Sequence, residues 1–211
     1  MPFWKPKKTW EGLDVFLIGG GTSLERFDWD LLKSEMTIGC NMAFSHGPEI
    51  CKICIFGDSR FFKVFEPELE VYANSKGIVF TSVPQLQKSK HNWIWKMPRE
   101  RHGLHYDAFG WNDNTGAEAI NLALLLGAKK IYLLGYDMKL SDNNKANWHN
   151  RILQKPNATV YPRFVKEFTR VQTDLKKKFP GREVINITDD NKLTMFPAIG
   201  VDEFWNERIP K

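Results

Sequence analysis

Short, wholly apolar runs alternate along this chain with longer amphipathic stretches. Val15-Phe16-Leu17-Ile18 predicts a strand over about 13–18, covered on both faces. Leu24, Phe27, Leu31 and Leu32 recur at helical spacing and predict a helix from about Ser23 to Lys33. Strands are expected at Met36–Cys40, Ile50–Phe56 and Gly77–Ser82, with a helix at Ser59–Phe65. Residues 83–113 are less regular and predict a small strand near Trp93–Met97 among loops. Asn114-Thr115-Gly116 opens the clearest helix, which is apolar almost all round and stops at Gly127. Ile131–Leu134 predicts another central strand. Pro162–Lys178 predicts a helix with Phe164, Val165, Phe168, Val171 and Leu175 on one face, and Glu183–Ile187 a last strand.

This alternation implies an α/β fold: a single Rossmann-like, doubly wound, mostly parallel sheet with helices on both faces. The expected organisation is an irregular arm over 1–12, a nucleotide-binding domain over 13–198 with a polar, asparagine-rich lid over about 139–160, and a tail over 199–211. Phe204 and Trp205 give the tail a means of packing back on the body.

Polar clusters fall just past the strands, where open α/β sheets bind ligands. Gly19-Gly20-Gly21 permits a sharp turn and close approach of a ligand to the backbone. Thr22 or Ser23 is expected to cap the following helix and leave N–H groups free for a phosphate. Leu24 stands where the third glycine of a dinucleotide fingerprint would be, and Asn41 where the ribose-binding acid would be, which argues against an NAD enzyme. Asn41, Asp58, Asn114, Thr115, Gly116 and Asp137 complete a nucleotide-binding set on one sheet edge. Asp58 reads equally as a helix cap.

Composition narrows the picture. The chain has 211 residues, 42% of them hydrophobic, which suits one globular domain. No apolar run is long enough to cross a bilayer, and the first residues lack a signal-peptide core. Cys40, Cys51 and Cys54 do not suggest a disulfide framework, so a reducing cytoplasm is expected; Cys51 and Cys54 form a C-x-x-C that reads best as core cysteine. The net charge of +5 suits an anionic ligand. Eight tryptophans, among them Trp4, Trp10, Trp93 and Trp95 near lysines, leave stacking on single-stranded nucleic acid as a lesser alternative to ordinary packing. His102 and His105 are three apart, with no third metal ligand in sight.

The order and spacing of Ile18-Gly19-Gly20-Gly21-Thr22-Ser23-Leu24, Cys40-Asn41, Asn114-Thr115-Gly116 and Ala128–Asp137 resemble one superfamily. It holds the bacterial sialyltransferases of glycosyltransferase family 42 and the DUF115 proteins, short phage-encoded members and an archaeal hydroxymethylpterin diphosphokinase among them. The resemblance implies a transferase that takes a CMP-sugar-like nucleotide-sugar donor and an acceptor hydroxyl. It places Gly19, Gly20 and Gly21 against phosphate and ribose, Asn41 and Asp58 near the nucleotide, and Thr115 and Gly116 beside the donor sugar, with Asp137 at the matching strand end. The sequence departs from that pattern at Gly20, usually asparagine, and at Lys139, where a tyrosine is expected. Lys139 can neutralise a leaving phosphate instead. The resemblance makes His149, the lid's one histidine, the candidate general base, although it follows Asp137 sooner than the family's histidine does.

Two alternatives follow. The diphosphokinase relatives imply Mg²⁺ and ATP, with Asp58, Asp137, Asp189 and Asp190 as metal-holding carboxylates. A non-catalytic nucleotide- or nucleic-acid-binding module on the same fold is the other.

Overall fold

The computed structural model describes residues 3–151, 155 and 157–208. Its main sheet contains β1 (Asp14–Ile18), β2 (Met36–Cys40), β3 (Ile53–Phe56), β4 (Ile78–Thr81), β5 (Ile94–Lys96), β8 (Lys130–Leu134), β9 (Glu183–Ile187) and β10 (Ala198–Ile199). The spatial order is β10-β9-β8-β1-β2-β3-β4-β5, and every neighbouring pair is parallel. Two short strands, β6 (Arg99–Glu100) and β7 (Phe109–Gly110), pair separately.

The period of two along β1 explains the layers. Val15 and Leu17 enter one core with Ile38, Ile53 and Ile131, beneath the helices α2 (Thr115–Leu126) and α3 (Tyr161–Lys178). Phe16 and Ile18 enter the other, with Cys54 and Phe56, beneath α1 (Ser59–Asn74) and α4 (Val201–Arg208). The central strands are therefore covered on both sides, as their unbroken apolar runs require. Every residue of α2 after Thr115 is buried. Asn114 caps its start through Gly116 N–H at 2.7 Å, and Gly127 ends it at φ 98°.

Several expected elements differ. The helix over Ser23–Lys33 is replaced by two 3-10 turns, Thr22–Leu24 and Trp29–Leu32. Neither Thr22 nor Ser23 caps the first: Ser23 is held sideways by Asp137, and Asp28 starts the second turn by accepting from Asp30 N–H. The strand expected from Ile50 begins only at Ile53, whereas the helix expected to end at Phe65 continues past Pro67, burying Leu69 and Tyr72. The described part of the tail contains the helix α4, whose Phe204 and Trp205 are buried against Phe16.

The arm follows the body. Trp4 N–H donates to Lys96 at 2.8 Å and its ring meets Phe80 edge-on, while Trp10 N–H donates to Leu126 at 2.8 Å. These two tryptophans pack on the core rather than forming an open stacking platform. All three cysteines are buried free thiols, and burial pushes Cys40 and Cys51 up to about 12. Among the described residues no helix is long and apolar enough to cross a membrane.

Candidate functional site at the strand-order switch

From β1 the chain steps outward to β5; from β8 it steps the other way to β10. The order therefore reverses between β1 and β8, and a crevice of about 730 Å³ opens beyond the strand ends there. The loops that leave β1, β2, β3, β4 and β8 all reach it, as do the start of α2 and the lid.

At its centre two turns lie back to back. Gly19 N–H donates to Leu134 at 2.7 Å and Gly21 N–H to Gly135 at 2.8 Å. A Cβ on Gly19 would fall 2.4 Å from the Gly135 carbonyl oxygen, and one on Gly21 2.4 Å from the Asp137 carboxyl carbon. These glycines are thus required by the approach of β1's turn to β8's turn. Asp137 binds the two together: its carboxylate accepts from Ser23 N–H at 2.9 Å and Ser23 Oγ–H at 2.6 Å. Thr22 and Ser23 lie outside the crevice lining, and a three-residue 3-10 turn replaces the helix N-terminus expected to hold a phosphate.

The other expected residues have varied surroundings. Asn41 lines the crevice at φ 52°, its Oδ1 buried with no hydrogen-bond partner among the described residues. Thr115 and Gly116 line it at the start of α2. Asn114 lines it too, with its side chain committed to the cap. Asp58 caps α1 through Arg60 N–H at 2.8 Å and pairs with the Arg60 guanidinium at 3.1 Å, so the capping role is the one observed. Lys139 lies 2.6 Å from Asp190, a pairing that raises the lysine's pKa. Asp190 also pairs with Lys192 and is held down at about 2. Asp189 accepts from Val201 N–H. The four carboxylates of the Mg²⁺ reading therefore have separate commitments, and among the described residues no group of three His, Cys, Asp or Glu is placed to hold a metal ion.

Within the described part of the lid, residues 146–149 lie on the glycine turn. Trp148 N–H donates to Gly20 at 3.0 Å and its indole N–H to Gly19 at 3.1 Å. Asn147 Oδ1 would lie 2.8 Å from a Cβ on Gly20. The Trp148 ring packs against Trp29 and His46, and those two stack at 3.8 Å. His149 faces the crevice from the next position. Its Nδ1 is buried without a partner among the described residues, and burial lowers its pKa, so it is neutral at neutral pH.

Arg99, Arg151, Arg163 and Tyr161 also line the crevice and escaped the sequence reading; Arg60, from the polar run after β3, and Trp111, from the irregular segment 83–113, line it too. Arg151 pairs with Glu68 and covers the Phe65 ring at 4.5 Å; Arg163 pairs with Asp113 at 3.7 Å. These arginines sit in segments without a motif. Glu118 carried a usable signal, as a lone acid in an otherwise apolar helix.

The architecture has solved counterparts. This chain shares its fold with a bacterial sialyltransferase. CstII of Campylobacter jejuni in complex with the substrate analogue CMP-3FNeuAc superposes with a TM-score of 0.54 at 15% identity, over 89% of this chain and 86% of that one. CstII in complex with cytidine-5'-monophosphate gives a TM-score of 0.56 at 15% identity, over 90% and 86%. No family model and no curated protein sequence matches the chain. At this identity the sialyltransferase likeness establishes the fold; the chemistry has to be argued from the crevice.

Proposed function

We propose that the crevice binds an activated nucleotide, a CMP-sugar-like donor, and that the protein transfers its sugar to an acceptor hydroxyl. The observation that carries this reading is convergence. The glycine turn, Asn41, Thr115–Gly116 and His149 come from distant segments and meet in one crevice at the strand-order switch. The same fold holds a CMP-sugar analogue in a solved counterpart. In this reading His149 takes the acceptor proton while the acceptor oxygen bonds to the donor carbon. The bond from that carbon to the phosphate oxygen breaks, and the nucleotide leaves with the electron pair. Lys139 and Arg151 lie along the lid side of the crevice, where positive charge favours the leaving phosphate. Kinship with the DUF115 proteins and their short phage members belongs to the same reading, as does a place in a reducing cytoplasm, which suits three buried free thiols.

The test is a thermal-shift screen of nucleotides and nucleotide-sugars, with and without Mg²⁺, followed by turnover assays on those that bind. CMP or a CMP-sugar should raise the melting temperature without Mg²⁺. Stabilisation by ATP only with Mg²⁺ would favour the diphosphokinase alternative, and binding without turnover across a broad donor and acceptor panel would favour a non-catalytic module.

A further inference from the structure

Arg99 lines the crevice from β6 and is held by residues that follow β3 and β4 rather than β1. Its Nη2 donates to the Gly57 carbonyl at 2.7 Å and its Nε to Ser82 Oγ at 2.9 Å. Its guanidinium carbon lies 4.7 Å over the Trp111 ring. The Glu118 carboxylate, wholly buried, accepts from Ser82 Oγ–H and stands 3.6 Å from Nη2. Four different segments thus fix one guanidinium, whose side chain is only 15% exposed yet lines the crevice. Nη1 has no hydrogen-bond partner among the described residues. A fixed guanidinium with open donors suits a planar or tetrahedral oxyanion, and little side-chain freedom remains to be lost on binding.

Position separates it from the nucleotide's phosphate. Gly57 follows β3 and Ser82 follows β4, two and three strands from β1. At roughly 4.8 Å per strand this is about 10–14 Å from the glycine turn. Resting on the reading that the glycine-turn end holds the nucleotide, we propose that Arg99 forms a second oxyanion subsite, which takes a phosphate or carboxylate of the transferred sugar or of its acceptor. Ser82, Trp111 and Glu118 are its positioning residues.

Glu118 faces Arg99 from β6, Ser82 from the loop after β4, and the uncharged Cys40 thiol from β2; Asp58 also acts on Arg99. An anion at Arg99 disfavours the ionised Glu118, so its binding takes up a proton and weakens as pH rises.

The experiment titrates inorganic phosphate into the CMP-saturated protein and follows the Arg99 Nε–H signal by NMR, assigned through Arg99→Lys. Phosphate should shift that signal saturably without displacing CMP. Arg99→Met should weaken phosphate at least about ten-fold while CMP affinity holds, and its melting temperature should fall because Glu118 and the Gly57 carbonyl lose a partner. With sulfate, whose charge does not change over this range, Glu118→Gln should keep anion binding and flatten its pH dependence between pH 6 and 8. CMP-N-acetylneuraminate in place of CMP separates the sources: blocking phosphate assigns the subsite to the donor, and leaving it open assigns it to the acceptor. Unchanged phosphate affinity in a folded Arg99→Met, displacement of CMP by phosphate, or a shift of the Arg99 signal by CMP alone would each overturn the proposal. If CMP fails to bind while phosphate still shifts Arg99, the nucleotide reading falls and the oxyanion site stands.

Discussion

The indole N–H of Trp148 donates to the carbonyl oxygen of Gly19 across 3.1 Å, so the lid and the glycine turn are hydrogen-bonded as one unit. The glycine-turn end of the crevice therefore does not keep its shape independently of the lid, and a change in Trp148 should be felt at both.

Trp148→Ala removes that bond and the packing against Trp29 and His46. It should open residues 139–151 to proteolysis and amide exchange, and cost about 1–3 kcal/mol of stability. Trp148→Phe, which keeps an aromatic ring and loses only the donor, should cost about 1 kcal/mol. Hydrogen-exchange mass spectrometry and thermal melts check both. Equal protection of the lid in wild type and Trp148→Ala would count against the coupling.

The same lid should loosen in mild acid. His46 and His149 are both lowered from 6.5, in each case chiefly by burial. A histidine with a depressed pKa in the closed form binds its proton more readily when released. The closed lid is thus fully stable above about pH 6.5 and loses stability as pH falls through the lowered values. Proteolysis of the lid should accelerate between pH 7 and 5, and His46→Phe should blunt that acceleration.

Gly21 and Asp137 should behave as a coupled pair. Gly21→Ala drives a methyl group into the carboxylate and should destabilise by about 1–3 kcal/mol. Asp137→Ala loses both bonds from Ser23, at a similar cost. Because the second change clears space for the first, the double variant should be more stable than the sum of the two predicts. Strict additivity in denaturant melts would show that the two turns do not contact as described.

Glu118 gives a stability change of opposite sign to the histidines. Burial, its largest cause, raises this carboxyl from 4.5 to about 7. The folded state binds the proton more tightly, so stability falls as pH rises from about 4.5 to about 7, by an amount on the order of 3 kcal/mol. Glu118→Gln should remove that component and be relatively more stable at pH 8 than at pH 5. Denaturant melts across this range decide it.

If the transfer reading holds, His149→Gln should lower kcat by about 10²- to 10⁴-fold and leave the dissociation constant for CMP unchanged. Loss of CMP binding instead would make His149 a ligand contact rather than a base.

The sequence made the sheet readable because the apolar runs at 15–18 and 131–134 have no other stable burial than a doubly covered parallel strand. It also placed Gly19–Gly21, Asn41, Asp58, Asn114–Gly116 and Asp137 on one edge, where the structure brings them together, and the structure adds His149 from the lid, whose reach no spacing in the sequence could give. The spacing predicts a helix after the glycines because Leu24, Phe27, Leu31 and Leu32 share a helical face, but two 3-10 turns and the bend between them bury Leu24 and Leu32 fully and Phe27 and Leu31 in part, and the side chain that interrupts them, Asp137, is distant in sequence. Arg99 and its neighbours were hidden for the same reason. A guanidinium fixed by Gly57, Ser82, Trp111 and Glu118 has no local spacing to announce it.

The position of β1 in the sheet sets the order in which the molecule can be assembled. Its one flank pairs with β2, nearby in the chain, and its other with β8, residues 130–134. A nascent chain that has emerged only through α2 holds this apolar central strand with one side unpaired and sticky, open to wrong partners until β8 arrives. Folding should therefore be slow for a domain of this size, and fragments ending before residue 130 should aggregate rather than fold.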